Sequence, residues 1–237
     1  MPALAVTATG LVLLAPLDLA LSLGLAPHRA HAFGPFIQEW GRAPASLLVV
    51  VAAAILTQPR WRAASPLLTR ALAALVVQLL IHGAVVTNVV KLLAGRPRPL
   101  SLGPHGEGFR AFWEIHPGFG DFSLPSGHVA VAMVLIPGAL AAWEEGRRRE
   151  AAALVATTVV WAGAVAFGRV LLGAHFPTDA FFSIGVGLAL APLSLRLADA
   201  ARARWLRPAA RRRRMGSARP RASKYVMVVV LFMGRGG

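Results

Sequence analysis

Apolar residues along this chain gather in long unbroken runs. They do not alternate as in a strand or keep to one face as in a surface helix. Six runs stand out, near 5–26, 43–58, 71–94, 128–143, 151–168 and 180–198. Each approaches the roughly 20 residues that carry an α-helix across about 30 Å of hydrocarbon, the second and fourth being short. Ala, Leu, Val and Gly dominate them, and small residues let membrane helices pack closely. No internal repeat is visible. The pattern predicts an all-α fold, a polytopic membrane helix bundle of about six transmembrane helices over 1–200. A basic cytoplasmic tail over 201–237 follows, disordered or lying on the membrane surface.

The polar segments between the runs set the topology. Arg60, Arg62 and Arg70 follow the second run, and Arg147, Arg148 and Arg149 the fourth. Arg202, Arg204, Arg207 and Arg211 to Arg214 follow the sixth. These stretches share one side, which the positive-inside rule makes the cytoplasm. The expectation is therefore a multi-pass protein of the cytoplasmic (inner) membrane. The loops near 27–42, 95–127 and 169–179 then face the periplasm or the equivalent exterior. Ala30-His31-Ala32 resembles a small-x-small cleavage site. No Lys or Arg precedes that first run, and it is longer than a signal core, so a retained helix is expected. Asp18 is unusual inside it; it either faces a neighbouring helix or weakens the span. In the tail, Tyr225 to Met233 is apolar but too short to cross.

Composition agrees with the pattern. The chain is 56% hydrophobic and 15% charged, where a soluble domain carries about a quarter charged residues. It has no cysteine, which excludes disulfides, thiolate metal sites and a cysteine nucleophile. The net charge of +15 would point to nucleic acid in a soluble protein. Here topology and contact with anionic lipid explain it more simply, because the arginines lack an ordered basic helix or interleaved aromatics. The expected partner is membrane and not nucleic acid; oligomeric state is left open.

Charge is scarce, so its clusters are informative. Three fall on the outward loops or the helix ends beside them. The first runs from Lys91 through Arg96-Pro97-Arg98-Pro99. The prolines stop the helix and stiffen its exit. Arginine offers phosphate a planar fork and lysine a point charge, although snorkelling at a membrane boundary accounts for such a cluster equally. The second is Pro125-Ser126-Gly127-His128 before the fourth run. Ser126 suits an N-cap, Gly127 admits a close ligand, helix-start amides suit an anion, and His128 can trade a proton. An ordinary capped helix with an incidental histidine reads the same way. The third is Arg169, His175 and Asp179. A histidine and an aspartate four apart share a helical face, and a carboxylate on one imidazole nitrogen makes the other a better nucleophile. A loop salt bridge is the alternative.

In order and spacing the three clusters form a far more specific signature than any one alone. Together they resemble the type 2 phosphatidic acid phosphatase superfamily, which also contains haloperoxidases and bacterial acid phosphatases. The resemblance spans roughly 70–200. It implies that Lys91, Arg98 and Arg169 bind phosphate and that Ser126 and Gly127 form the phosphate-contacting turn. It further implies that His175 is the nucleophile that becomes a phosphohistidine, Asp179 its orienting carboxylate and His128 the acid for the leaving oxygen. Arg96, at a variable position of the first motif, is accessory. Many members carry Ser before the third-motif arginine, where this chain has Gly168.

The activity so implied is metal-independent hydrolysis of a phosphomonoester or diphosphate lipid, with no cofactor. Candidate substrates are a phospholipid such as phosphatidic acid or phosphatidylglycerol phosphate, a prenyl diphosphate, or lipid A. A lipid phosphotransferase using the same site and a non-catalytic lipid-binding protein are the alternatives. The loop holding His105, Glu107, Phe109, Arg110, Phe112, Trp113, Glu114 and His116 helps to choose substrate, anchors in headgroups, or packs.

Overall fold

Every apolar run becomes helix, and among the described residues no strand forms. The computed structural model describes residues 2–59, 65–117 and 121–205. Helices α1 (Pro2–Leu14) and α2 (Asp18–Gly24) make the first span. Helices α3 (Phe33–Trp40) and α4 (Ala43–Thr57) make the second. The third joins α5 (Pro66–Gln78), a π-helical stretch (Leu79–Val86) and α6 (Thr87–Ala94). Helices α7 (Gly127–Ala132) and α8 (Ile136–Glu144) make the fourth. The fifth and sixth are α9 (Arg148–Leu171) and α10 (Pro177–Trp205). All six are long and apolar enough to cross a membrane, so the chain is a multi-pass membrane protein.

Residues Met1–Ala201 form one compact unit and Arg202–Gly237 a second. Only the first residues of the second are described. Arg60, Arg62, Arg207, the run Arg211 to Arg214 and the apolar stretch Tyr225 to Met233 lie outside the described residues.

One expectation is corrected. The stretch 27–42, read as an outward loop, holds helix α3, and the second span begins at Phe33 instead of residue 43. Gly34, Pro35, Gln38 and Glu39 hide that helix from a hydropathy reading, yet a proline in a first helical turn costs little. Ile37 on α3 packs against Val129, Ala132, Met133, Ala162, Val165 and Ala180. The α3 helix is therefore part of the core.

The fourth span is the centre of the bundle and the most buried of the six. Alanines at 130, 132, 139, 141 and 142 line it, and their short side chains let neighbours approach. Large apolar residues face outward: Val160 is 72% exposed and Leu47 65%. That inverts the surface of a soluble domain and suits contact with lipid.

One end of the bundle is tied by charge. The Arg70 guanidinium at the start of α5 donates to Asp199 of α10 (2.8 Å from Nε) and Glu144 of α8 (2.6 Å from Nη2). Ser65 caps α5 by accepting the Leu68 amide at 3.3 Å, with Pro66 at the first helical position. Since each helix crosses the bundle, the end of α6 and α9 and the start of α7 and α10 meet at the other end. The signature clusters lie there.

Candidate active site

The spacing of the third cluster is the spacing of a helix stop. Helix α9 ends on a Schellman arrangement: Ala174 N–H donates to Arg169 O (3.1 Å) and Gly173 N–H to Val170 O (2.9 Å). Such a cap requires a left-handed residue, and Gly173 supplies it with φ of +75°. A Cβ there would also come within 2.7 Å of the Arg29 guanidinium. Arg169 stays in the last turn while the chain reverses and delivers His175 beside it. Phe176 leads directly into α10, and Asp179 in its first turn accepts the Phe176 amide through Oδ2 at 2.8 Å. This is the return half of a capping box.

The first cluster is placed by a second stop. Gly95, with φ of +54°, ends α6 just past Lys91. The exit is then stitched to the His175 turn: Leu100 N–H donates to Gly173 O at 2.9 Å. Arg29 Nη2 donates to Pro99 O at 3.1 Å. Ser123 N–H donates to Arg96 O at 2.9 Å, and Ser126 N–H to Asp179 O at 3.3 Å. Three segments far apart in sequence thereby share one backbone hydrogen-bond network.

His175 is the focus of that network. It is buried, and its Nδ1 lies 2.5 Å from the Ser123 carbonyl oxygen. A carbonyl only accepts, so Nδ1 carries the proton and Nε2 holds the lone pair. Burial above all, then the positive charges of Arg169 and Lys91, hold this imidazole well below its ordinary pKa. It is neutral at physiological pH. Asp179 does not make the expected bond to it: Oδ2 stands 3.9 Å from Nδ1. The backbone carbonyl fixes the tautomer in its place.

The three expected cations converge here. Lys91, Arg98 and Arg169 all act electrostatically on His175. None of them forms an ion pair with a carboxylate among the described residues. Arg98 Nε, Arg169 Nε and Nη1 and the Ser126 hydroxyl are buried without a protein partner. Buried donors of this kind are normally satisfied, and phosphate oxygens are suited to satisfy them. Ser126 does occupy the position before α7, but its hydroxyl makes no capping bond. Gly127 is not among the positive-φ glycines, and a Cβ on it would meet only Thr87 at 3.6 Å. The fold itself therefore does not demand glycine there.

His128 points to a feature the sequence did not announce. Its Nε2 lies 3.2 Å from the Gln38 carbonyl oxygen. Helix α3 stops at Trp40: the Gly41 amide still closes on the Ile37 carbonyl at 2.9 Å, and the Gln38 carbonyl, one position on, is open to a side chain. The break between α3 and α4 thus provides the acceptor that fixes His128 as an Nε2–H tautomer, leaving Nδ1 to exchange a proton. The Gly41 carbonyl at the same break accepts from Trp161 Nε1 at 3.2 Å. Arg42, next along, acts electrostatically on Lys91, His128 and Arg169. It is a fourth cation of the site that no motif marked.

In the 102–117 loop it is Phe109 that reaches the site, stacking edge-on against Phe176 at 5.4 Å. Phe112 and Trp113 stack on each other at 5.1 Å, and Trp113 is 62% exposed. Gly168 has a steric reason: a Cβ would fall 2.6 Å from Ile37 Cγ1. The serine common at this position in the family does not fit against α3 as packed here.

Fold and site together define a class: a multi-pass helical bundle that gathers at one end two carbonyl-held imidazoles and cations that form no ion pair among the described residues. The model of the PAP2 superfamily matches residues 67–203, more than half of the chain, and the chain belongs to that family. No curated protein and no solved structure matches it. Membership implies a phosphatase-type enzyme, associated with the membrane, for a phosphorylated lipid or similar substrate. The matched stretch contains Lys91, Arg98, Ser126, Gly127, His128, Arg169, His175 and Asp179.

Proposed function

We propose that this chain is an integral membrane lipid phosphatase that works through a phosphohistidine on His175 without a metal ion. One observation carries the reading: a neutral imidazole, its Nδ1–H held by Ser123, sits in the field of three cations that form no ion pair with a carboxylate among the described residues. Phosphoryl transfer asks mainly for positioning and charge stabilisation, and this arrangement offers both.

In the first step the His175 Nε2 lone pair attacks phosphorus in line. The P–O bond to the lipid or outer phosphate breaks, and His128, entering this step as the imidazolium with its Nε2–H on the Gln38 carbonyl, gives its Nδ1 proton to the departing oxygen. Lys91, Arg98, Arg169 and the Ser126 hydroxyl hold the equatorial oxygens. The Ser123 carbonyl and the nearby Asp179 carboxylate stabilise the positive phosphoimidazole. In the second step water attacks phosphorus, His128 takes its proton, and the P–N bond breaks to return the lone pair to Nε2.

The proposed setting is the cytoplasmic (inner) membrane, with the site at the periplasmic or exterior face. Its support is the arginine cluster Arg147 to Arg149 and the Arg70 ion network, both at the bundle end remote from His175. Among the described residues no group of three metal-ligating side chains gathers. The domain reading is retained as part of the proposal: 1–200 as the phosphatase domain and 201–237 as a basic tail at the cytoplasmic surface.

The test is phosphate release from a panel of phosphatidic acid, phosphatidylglycerol phosphate, prenyl diphosphates and lipid A, with EDTA present. The reading expects EDTA-resistant release from at least one lipid by the wild type and near-complete loss in His175→Ala. Release abolished by chelation, or kept without His175, overturns it.

A further inference from the structure

Among the described residues, Asp18 and Arg96 are the buried carboxylate and guanidinium that the mechanism leaves unused, and they are buried together. Each is 1% exposed. Asp18 lies in the first span and Arg96 in the exit from the third. A lone carboxylate in a membrane helix is costly, and breaking a buried ion pair leaves an uncompensated charge. Their partners say what the pair is for.

Arg96 is satisfied on every side. Its Nε donates to the Arg110 carbonyl at 2.9 Å. Its Nη1 donates to Thr178 Oγ1 at 2.9 Å and Asp179 Oδ1 at 2.6 Å. Its Nη2 donates to Asp18 Oδ2 at 2.9 Å. The guanidinium also lies 4.0 Å from the Phe176 ring centroid, a cation–π distance. Asp18 completes the circuit: Oδ1 accepts the Thr178 amide at 3.0 Å and Oδ2 the Thr178 hydroxyl. The group therefore grips Phe176, Thr178 and Asp179, the residues that follow His175 directly. Two carboxylates against one guanidinium leave an excess negative charge, which the start of α10 is placed to offset.

We infer that Asp18 and Arg96 are positioning residues for the reaction: a buried Asp18–Arg96–Asp179 bridge by which the first helix fixes the turn that aims His175. The bridge has a second effect. Arg96 occupies Asp179, so this carboxylate does not pair with Lys91, Arg98 or Arg169, and those cations remain for the phosphate. The bridge also makes the first helix part of the active enzyme, since cleavage after Ala32 removes Asp18. The inference rests on His175 being the reacting group.

The experiment compares full-length wild type with Asp18→Asn, Arg96→Gln and the double variant in detergent, using the lipid phosphate that the wild type turns over best. Ser194→Ala serves as control; it deletes a buried hydrogen bond to Gln78 (2.6 Å) outside the bridge. Each bridge variant is expected to lower kcat at least tenfold with KM within about twofold, the pattern of misplaced reacting groups. The double variant should be no worse than the poorer single, as coupled residues behave. The control should keep kcat within about twofold. Unchanged kcat, a loss confined to KM, multiplicative losses, or an equal loss in the control overturns the inference.

A second readout stands apart from turnover. In protein labelled with nitrogen-15 at histidine, the His175 Nδ1–H signal, assigned by its loss in His175→Ala, should shift in Asp18→Asn and Arg96→Gln but not in Ser194→Ala. If the wild type released no phosphate from any lipid, the proposed function would fail, and this signal would still decide the bridge. A His175 signal unmoved in both bridge variants overturns it.

Discussion

The carboxylate of Asp179 stops 3.9 Å short of the His175 imidazole. It bonds instead to the Phe176 amide and to Arg96. Its influence on the nucleophile is thus through the turn and through its field. Asp179→Asn keeps the shape and should leave the Ser123-held tautomer intact. Its kcat is expected to fall roughly ten- to a hundredfold, less than the ~10⁴-fold that follows when a carboxylate sets the tautomer itself. Steady-state kinetics on the preferred lipid checks this; a fall as deep as that of His175→Ala would show that the aspartate bonds the ring during turnover.

Removing a clamp cation should hurt in a different way. Arg169 presents two buried unpartnered donors in a planar fork. Arg169→Lys keeps a charge but loses the fork. We expect kcat/KM to fall about 10²–10³-fold, the usual cost of one donor aimed at developing charge. Arg42→Gln, which removes a more peripheral cation, should cost less and mainly raise KM. Equal losses would place Arg42 in the clamp itself.

The neutral state of His175 fixes the sign of a pH effect. Its pKa is depressed in the fold, so below about 6.5 an unfolded chain takes up a proton that the native state refuses. This contribution to stability is complete above that pH, declines as pH falls through it, and levels off below the native pKa. Thermal unfolding in detergent should therefore show a steeper loss of Tm between pH 7 and 5 for wild type than for His175→Gln. A steeper loss in the variant would reverse the assignment.

Two glycines test the packing that brings the site together. Gly168→Ser sets a Cβ against Ile37, and Gly173→Ala forces a left-handed φ and meets Arg29 and Leu100. Each is expected to cost about 1–3 kcal/mol, seen as a lower Tm. Gly127→Ala, whose Cβ would meet only Thr87 Cγ2 at an ordinary contact distance of 3.6 Å, should fold normally and lose affinity for phosphate.

Residue order carried much of this site. The helix exit after Lys91 and the closeness of Arg169 to His175 are local, so spacing reveals them, although the stop expected at Pro97 falls at Gly95 and the stop at Gly173 carried no mark in the motif. The six spans are equally local, because length and hydropathy define them. What escaped is what depends on partners chosen in space. Gln38 contributes a backbone carbonyl, which no side-chain pattern marks. Arg96 and Asp18 stand 78 positions apart, and a buried charge in a sequence does not name its counter-ion. Asp179 looked like the partner of His175 because they sit four apart, but the nearer claims of Arg96 and the Phe176 amide take its oxygens. The α3 helix was hidden because a Gly-Pro pair and two polar residues dilute an apolar signal that Ile37 and Phe33 carry into the core.

The covalent intermediate is the claim on which the account rests. Enzyme quenched in alkali within one turnover of a lipid labelled with phosphorus-32 should retain label. That label should be stable to base, labile to acid, located on the peptide holding His175, and absent from His175→Ala. Turnover without any protein-bound label under these conditions, or label on another residue, would contradict the mechanism.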